Sequence, residues 1–424
     1  MNKIKFIGLL SVLTAFLVSC STAKSIERTM ERTQKENTYF KGFVVYNPVT
    51  NKTLINYNGH KYFTPASNTK LFTFYAAYKA LKDSVKSLAY YKTTDSLIIK
   101  GTADPSFLYG FNDDDVLQFL ATAKDTIYLL DRTIDEPFFG NGWAWNDYPY
   151  YYMPEKSLFP VNGNTVNYGY KNGLLSVFPQ YFTSAVIAVD SLKFLREYKD
   201  NKFYIKKYTT NTYTVPFKTN SEIVAAVLSD TLQKPIKLLA KGNKEYNFKY
   251  LYGNPIDSLF KQMLTVSDNF IAEQLLLQVG EEVSGYYNVD SAINYTLKHY
   301  LKDLPQKPRW VDGSGLSRYN LFTPQTIVAL LTKMYYEIPR EKLLHYFPVG
   351  GKSGTIKSWY ANEGKPYIYA KTGTLSNNHC LSGYLITQKG TLLIFSYMNN
   401  HYPGSSIPIK KQMERDLKRL YIKY

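Results

Sequence analysis

The order of segments along this 424-residue chain predicts an α/β fold of the α+β kind: an antiparallel sheet flanked by helices, with a mixed α/β domain inserted into it. Three observations carry that reading. Strand-like segments stand near both ends of the chain. A helical stretch runs from residue 256 to about 346. A long segment of mixed pattern separates the first strands from it. The terminal pieces, residues 39–90 and 250–424, are expected to pair into one sheet, and residues 91–249 to form the inserted domain. Hydrophobic content of 45% and charged content of 20% suit a globular chain with a sizeable core.

Each element has a local reason. Residues 42–46 and 53–57 are rich in β-branched and aromatic side chains and flank the turn-like run Asn47-Pro48-Val49-Thr50-Asn51, so they read as two strands. Pro65 precedes a helix expected over 71–81. Residues 97–101 read as strand, 114–123 as helix and 126–130 as strand. Residues 136–180 carry so much Gly, Pro, Asn and aromatic character that they read as irregular. Residues 183–248 alternate like short strands, at 185–189, 203–205 and 223–228. After the helical stretch, 367–371, 381–387 and 391–397 read as three consecutive strands, and 412–421 as a closing helix. No internal repeat is visible.

The N-terminus carries an address. Lys3 and Lys5 precede an apolar run over 6–19, which is shorter than the roughly 20 residues a membrane span needs and suits a secretory signal over 1–19. The run ends Leu17-Val18-Ser19-Cys20, which resembles a bacterial lipoprotein processing site. That resemblance implies cleavage before Cys20, acylation of its thiol and new amine, and a membrane anchor; ordinary secretion with an incidental cysteine is the alternative. The polar residues 20–38 then read as a tether. Cys380 is left without a disulfide partner, in an apolar strand-like run that favours a buried, inert thiol. Net charge is +17, and +15 once Lys3 and Lys5 are removed, a surface that favours anionic neighbours such as wall polymers or lipid head groups. No zinc-finger spacing or RNA-binding aromatic motif supports nucleic acid. The 40 tyrosines read as packing.

Three short motifs carry chemistry: Ser67-Asn68-Thr69-Lys70, Ser267-Asp268-Asn269 and Lys371-Thr372-Gly373. A serine hydroxyl is a poor nucleophile until a base takes its proton. Lys70 stands three residues after Ser67, on the same face of a helix, and can be that base if burial or a second cation lowers its pKa. Lys371 would supply such a cation. The N–H of Ser67, near a helix start, and the N–H of Thr374 would form an oxyanion hole. Ser267 would relay a proton to the leaving group, and Asn269 would hydrogen-bond a substrate amide. Lys371 and Thr372 would hold a carboxylate, and Gly373 would let the substrate backbone approach. His60, His299, His345, His379 and His401 form no metal-binding spacing, so no metal or other cofactor is expected. There is no phosphate-binding glycine loop and no G-x-S-x-G elbow. Gly313-Ser314-Gly315 reads as a solvent-exposed turn.

The three motifs in this order form the signature of class A β-lactamases and penicillin-binding proteins. Their neighbours narrow the group. Pro65-Ala66-Ser67-Asn68-Thr69-Lys70-Leu71, Ser267-Asp268-Asn269-Phe270-Ile271-Ala272-Glu273, Asp312-Gly313-Ser314-Gly315-Leu316-Ser317-Arg318, Gly354-Thr355 and Ala370-Lys371-Thr372-Gly373-Thr374-Leu375 resemble the class C low-molecular-mass penicillin-binding proteins, the D-alanyl-D-alanine carboxypeptidase/endopeptidase family. Within the insert, Gly101-Thr102-Ala103-Asp104-Pro105-Ser106 and Gly142-Trp143-Ala144-Trp145-Asn146-Asp147 are similar to runs of the same family. The resemblance spans residues 40 to 424 and implies a penicillin-binding, β-lactamase-like transpeptidase domain. It implies hydrolysis of D-alanyl bonds in peptidoglycan stem peptides or cross-links through an acyl-enzyme on Ser67, with β-lactams as covalent inhibitors. It also implies that Asp147 meets the ammonium of a cross-linking diamino acid, and that Arg318 meets a substrate carboxylate or braces the fold. The expected place is the bacterial periplasm, lipid-anchored through Cys20. Two features depart from the family: the 200 residues from Ser67 to Ser267 are a short interval, and the family is usually soluble in the periplasm. A β-lactamase is the rival enzyme, and a catalytically silent wall-binding or sensor lipoprotein the rival of another class.

Overall fold

A computed structural model describes residues 24–32, 38–111, 114–240, 242 and 245–424; the signal segment and Cys20 lie outside the described residues. A helix, α1, covers 24–32. The strands β1 (Phe40–Asn47) and β2 (Lys52–Tyr57) follow, then α2 (Lys70–Ala80), β3 (Ser84–Lys92), β4 (Ser96–Lys100), α3 (Asp114–Thr122) and β5 (Thr126–Leu130). Next come β6 (Thr165–Lys171), β7 (Leu174–Phe178), β8 (Val186–Val189), β9 (Phe203–Lys206), β10 (Tyr213–Pro216), α4 (Ser221–Leu232), β11 (Ile236–Leu239) and β12 (Lys249–Pro255). The helical stretch holds α5 (Ile256–Thr265), α6 (Asn269–Ser284), α7 (Val289–His299), α8 (Pro324–Glu337) and α9 (Arg340–Tyr346). The chain closes with β13 (Ile368–Leu375), β14 (Asn378–Ile386), β15 (Leu392–Asn400) and α10 (Ile407–Lys423).

The terminal strands join as expected into an antiparallel sheet of order β13-β14-β15-β1-β2. Successive side chains point to opposite faces, and both faces are covered. Phe43, Val45, Leu393, Phe395 and Tyr397 pack on α10 and α1, while Val44, Leu392, Ile394 and Met398 pack on the layer built from α2 and α5 to α8. That double burial explains why β14 and β15 read as nearly unbroken apolar runs.

A second sheet has order β11-β5-β4-β3-β12 and mixes parallel with antiparallel pairs. It shares a core with α3, α4 and the small sheets β10-β6-β7 and β8-β9. The expected domain limits at 90 and 250 fall inside β3 and at the start of β12, which pair with each other in this second sheet. β3 follows α2 closely and is polar at Ser84, Lys86 and Ser87, which hid it.

Other expectations are corrected. Residues 223–228 are helical, not strand: Asn220 caps α4 by accepting from the N–H of Ile223 at 2.8 Å, and Val224, Val227 and Leu228 bury one helical face. Residues 136–180 are not wholly irregular. β6 and β7 form a hairpin turned by Asn172 (φ 52°) and Gly173 (φ 79°), and Asn-Gly is the pair such a turn selects. Part of the expected tether is docked. In α1, Ile26 and Met30 are buried against α10 and the first sheet, and Ser25 Oγ accepts from Arg419 Nη2 at 3.1 Å. Among the described residues, no helix is long and apolar enough to cross a membrane.

Candidate active site

Ser67 stands on a short 3-10 helix, Ala66–Thr69, that runs directly into α2. α2 is buried on all sides along most of its length, with Phe72 against Trp310 and Phe322, and Phe74 against Phe260 and Tyr346. A residue in its first turn is therefore desolvated whatever its polarity. That residue is Lys70. Its Nζ lies 3.1 Å from Ser67 Oγ, 2.6 Å from Asn269 Oδ1 and 2.6 Å from the carbonyl of Ser314. Burial lowers the Lys70 pKa to about 8, against the raising influence of Asp312, Glu273 and Asp268. A neutral amine keeps two N–H donors and one lone pair. The two donors serve Asn269 and Ser314, and the lone pair is left for the hydroxyl proton of Ser67.

Lys371 forms a second pair with Ser267: its Nζ donates to Ser267 Oγ at 2.7 Å and to its neighbour's carbonyl, Thr372 O, at 2.8 Å. Burial, and then the charge of Lys70, push its pKa well down. The strand that carries it is clamped to the 3-10 helix. A Cβ on Gly373 would sit 2.3 Å from Pro65 O, so only glycine fits there. Asn68 donates to Lys371 O at 2.9 Å and accepts from Ser382 Oγ at 2.6 Å. On the other side, Asp268 caps α6 by accepting from the N–H of Ile271 at 3.0 Å, and it also accepts from Tyr109 OH at 3.0 Å. Both Ala66 (φ 48°) and Ser267 (φ 67°) hold left-handed backbone, a strained conformation for non-glycine residues that clusters at active sites.

Gly313-Ser314-Gly315 is not a solvent-exposed turn. The loop is buried between α2 and α6: a Cβ on Gly315 (φ 81°) would lie 1.9 Å from Ala66 O, and one on Gly313 would lie 2.6 Å from Ala272 O. Carboxylates hold it in place. Glu273 accepts from the N–H groups of Gly313 at 3.1 Å and Ser314 at 2.7 Å. Asp312 accepts from the N–H groups of Gly315 and Ser317, from Asn320 Nδ2 and from Trp143 Nε1, at 2.6 to 2.9 Å. Burial and the charge of Asp312 raise the Glu273 pKa to about 7. In the sequence Glu273 and Ser314 stand only as parts of motifs; that they hold Lys70 in place is not legible there, because the contacts run through backbone groups.

Both serines open on one cleft of about 1580 Å3, lined also by Asn269, Thr372, Thr374, Asp147 and Arg318. Asn269 spends its amide on Lys70 and on the carbonyl of Tyr152 at 2.8 Å. The hydroxyl of Thr372 donates to Thr355 Oγ1 at 2.7 Å. Thr374 Oγ1 lies 2.8 Å from Nδ1 of His379, whose pKa burial lowers to about 3, so the ring stays neutral. Asp147 sits on a 3-10 turn, Trp145–Asp147, and accepts from Tyr152 OH at 3.0 Å. Arg318 is exposed to the cleft, with Nη1 3.5 Å from Ser376 O. Cys380 is fully buried, and burial pushes its thiol up to about 12.

A serine with an adjacent buried lysine, facing a second serine–lysine pair between an antiparallel sheet and a helical layer, defines a penicillin-binding serine hydrolase. The chain belongs to the D-Ala-D-Ala carboxypeptidase 3 (S13) family, whose profile matches residues 23–181 and 208–420. It is 24% identical to the D-alanyl-D-alanine carboxypeptidase DacB of Haemophilus influenzae, over 90% of this chain and 91% of that protein. Its fold is similar to that of penicillin binding protein 4 from Haemophilus influenzae, with a TM-score of 0.75 and 21% identity over 91% of this chain and 97% of the other; that protein has also been solved with a novel β-lactam. A predatory peptidoglycan endopeptidase from Bdellovibrio bacteriovorus shares the fold at a TM-score of 0.55 and 15% identity, over 91% and 93%. The chain is thus a serine-type hydrolase of the D-alanyl-D-alanine carboxypeptidase family, with that family's penicillin-binding fold.

Proposed function

We propose that Ser67 is the acylated nucleophile in hydrolysis of D-alanyl bonds of peptidoglycan stem peptides, as carboxypeptidase, endopeptidase or both. The observation that carries this is the 3.1 Å contact between Ser67 Oγ and the fully buried Lys70 Nζ, whose pKa is lowered to about 8. Neutral Lys70 takes the hydroxyl proton as Ser67 Oγ attacks the carbonyl carbon. Backbone N–H groups of Ser67 and Thr374 receive the oxyanion. The C–N bond breaks, the amine leaves with a proton relayed through Ser267, and water resolves the ester. Thr372, Thr374 and Arg318 meet the substrate carboxylate; Gly373 keeps the strand close. Asp147 meets the ammonium of the diamino acid, and a half-buried carboxylate beside Tyr152 suits that partner.

The protein works in the cell envelope, exported by residues 1–19 and held by acyl chains on Cys20. β-Lactams present a strained acyl donor with a carboxylate and acylate Ser67. The test is mass spectrometry. Penicillin should add one adduct, mapping to the Ser67 peptide, and monomeric pentapeptide or cross-linked muropeptide dimer should lose D-alanine or split. An adduct that persists in Ser67→Ala overturns the assignment.

A further inference from the structure

We infer that the outward face of α10, together with α1, is a docking surface for an anionic lipid bilayer. The inner face of α10 is spent on the core through Ile409, Met413, Leu417 and Leu420. Its outer face carries Lys411, Arg415, Arg419 and Lys423, one every four residues and all exposed. That spacing sets them along one side of a helix. Ile407 (52% exposed) and Ile422 (46% exposed) stand on the same side near its two ends. Glu414 is turned away, accepting from the N–H of Tyr360, and Asp416 is buried beneath Tyr397.

α1 extends this face. Arg419 bonds Ser25, so the helices lie side by side, and α1 exposes Lys24, Arg28 and Arg32 at the same four-residue spacing. Glu27 and Glu31 also lie on α1; Glu27 faces the N–H of Asn56 at 3.4 Å, and Glu31 is exposed. Among the described residues, none of these basic side chains of α1 and α10 is ion-paired.

A bilayer is the occupant on two counts. A helix with a basic arc and apolar residues on the same side is the pattern that lies on anionic head groups. The second rests on the proposed anchor at Cys20. Only Ser21, Thr22 and Ala23 separate Cys20 from α1, and four links of chain reach at most about 14 Å. An acyl group on Cys20 would keep the start of α1, and α10 beside it, close to the head groups.

The test uses the full chain on vesicles of phosphatidylcholine, with or without one quarter phosphatidylglycerol, at 50 mM salt. Flotation with the neutral vesicles reports the acyl anchor alone. Brief acetylation read by mass spectrometry reports the surface. Lys411 and Lys423 should be protected about tenfold more on the anionic vesicles, with Lys206 and Lys237 of the insert unchanged. The difference should vanish at 500 mM salt and in the variant Arg415→Gln/Arg419→Gln, whose folding is checked by penicillin labelling. Protection on anionic vesicles without flotation on neutral ones would support the surface and refute the anchor. Equal labelling on both vesicles would overturn the proposal. So would equal protection by soluble polyglutamate, which would mark a polyanion site rather than a lipid surface.

Discussion

Acylation of Ser67 should follow the ionisation of Lys70, and the structure sets the midpoint. Lys70 acts as base only when neutral. Its buried ammonium titrates at about 8 rather than 10.5, so about one molecule in eleven is competent at pH 7, half at pH 8 and about nine in ten at pH 9. The sign follows: lowering the pH through 8 protonates the base and removes activity. The second-order rate of acylation by a fluorescent penicillin should therefore fall about tenfold from pH 7 to pH 6 and gain about fivefold from pH 7 to pH 8, then flatten near pH 9. An unburied lysine would instead keep the rate rising tenfold per unit through pH 9. Lys70→Arg should lose about two to four orders of magnitude at every pH, since a guanidinium stays protonated. Quenched-flow acylation at constant ionic strength, with intact mass as the readout, measures all of this. A flat profile from pH 6 to 9, or a Lys70→Arg variant that still acylates well, would refute Lys70 as the base.

Three further outcomes follow from the same geometry. Glu273→Gln leaves one of the N–H groups of Gly313 and Ser314 without an acceptor and should cost about 1–3 kcal/mol in denaturant unfolding; it also removes a charge that raises Lys70, so the acid limb of acylation should move to lower pH, and an unmoved limb would reduce Glu273 to a brace. Gly315→Ala drives a Cβ to 1.9 Å from Ala66 O at a backbone φ of 81°, and should lower the melting temperature and slow acylation together; unchanged values would show that the loop can move. Asp147→Asn should cost about tenfold to a hundredfold in kcat/KM for a peptide with a free diamino-acid ammonium and leave penicillin acylation unchanged; a parallel fall in both would mean that Asp147 supports the fold.

The parts of the site that depend on local spacing were legible. Ser67 and Lys70 are three apart at the start of a helix, and Ser267-Asp268-Asn269 falls within the helical stretch; both are one-dimensional signals. The sheet of terminal strands was legible because its burial on both faces leaves long apolar runs at β14 and β15. What stayed hidden depends on partners far away in sequence. Glu273 looks like a polar residue in an ordinary helix until the backbone of Gly313 and Ser314 is beside it. β6 and β7 were lost in an aromatic-rich segment although Asn172-Gly173 announced their turn. α4 reads as strand in the sequence because Val224, Val227 and Leu228 fit an apolar run until the Asn220 cap sets the period.

Burial decides what Lys371 can do. Lys371 is fully buried under Ser267 and the strand, and its hydrogen bonds to Ser267 Oγ and Thr372 O stay inside the protein. A cation so depressed by burial and by Lys70 is better suited to holding Ser267 than to attracting an anion. Arg318, by contrast, is exposed on the cleft. Arg318 closes the loop that Asp312 folds, and its N–H meets the carbonyl of Gly142 at 3.4 Å, while Trp143 donates to Asp312 itself. The segment from Gly142 to Asp147 is thereby fastened to the loop whose other end presents a carbonyl to Lys70. Arg318, the segment that carries Asp147 and the loop whose carbonyl meets Lys70 thus hang on one buried carboxylate, Asp312. On the proposed function, the insert contributes through this junction by fixing Asp147 relative to Ser67, which is positioning rather than a reacting group.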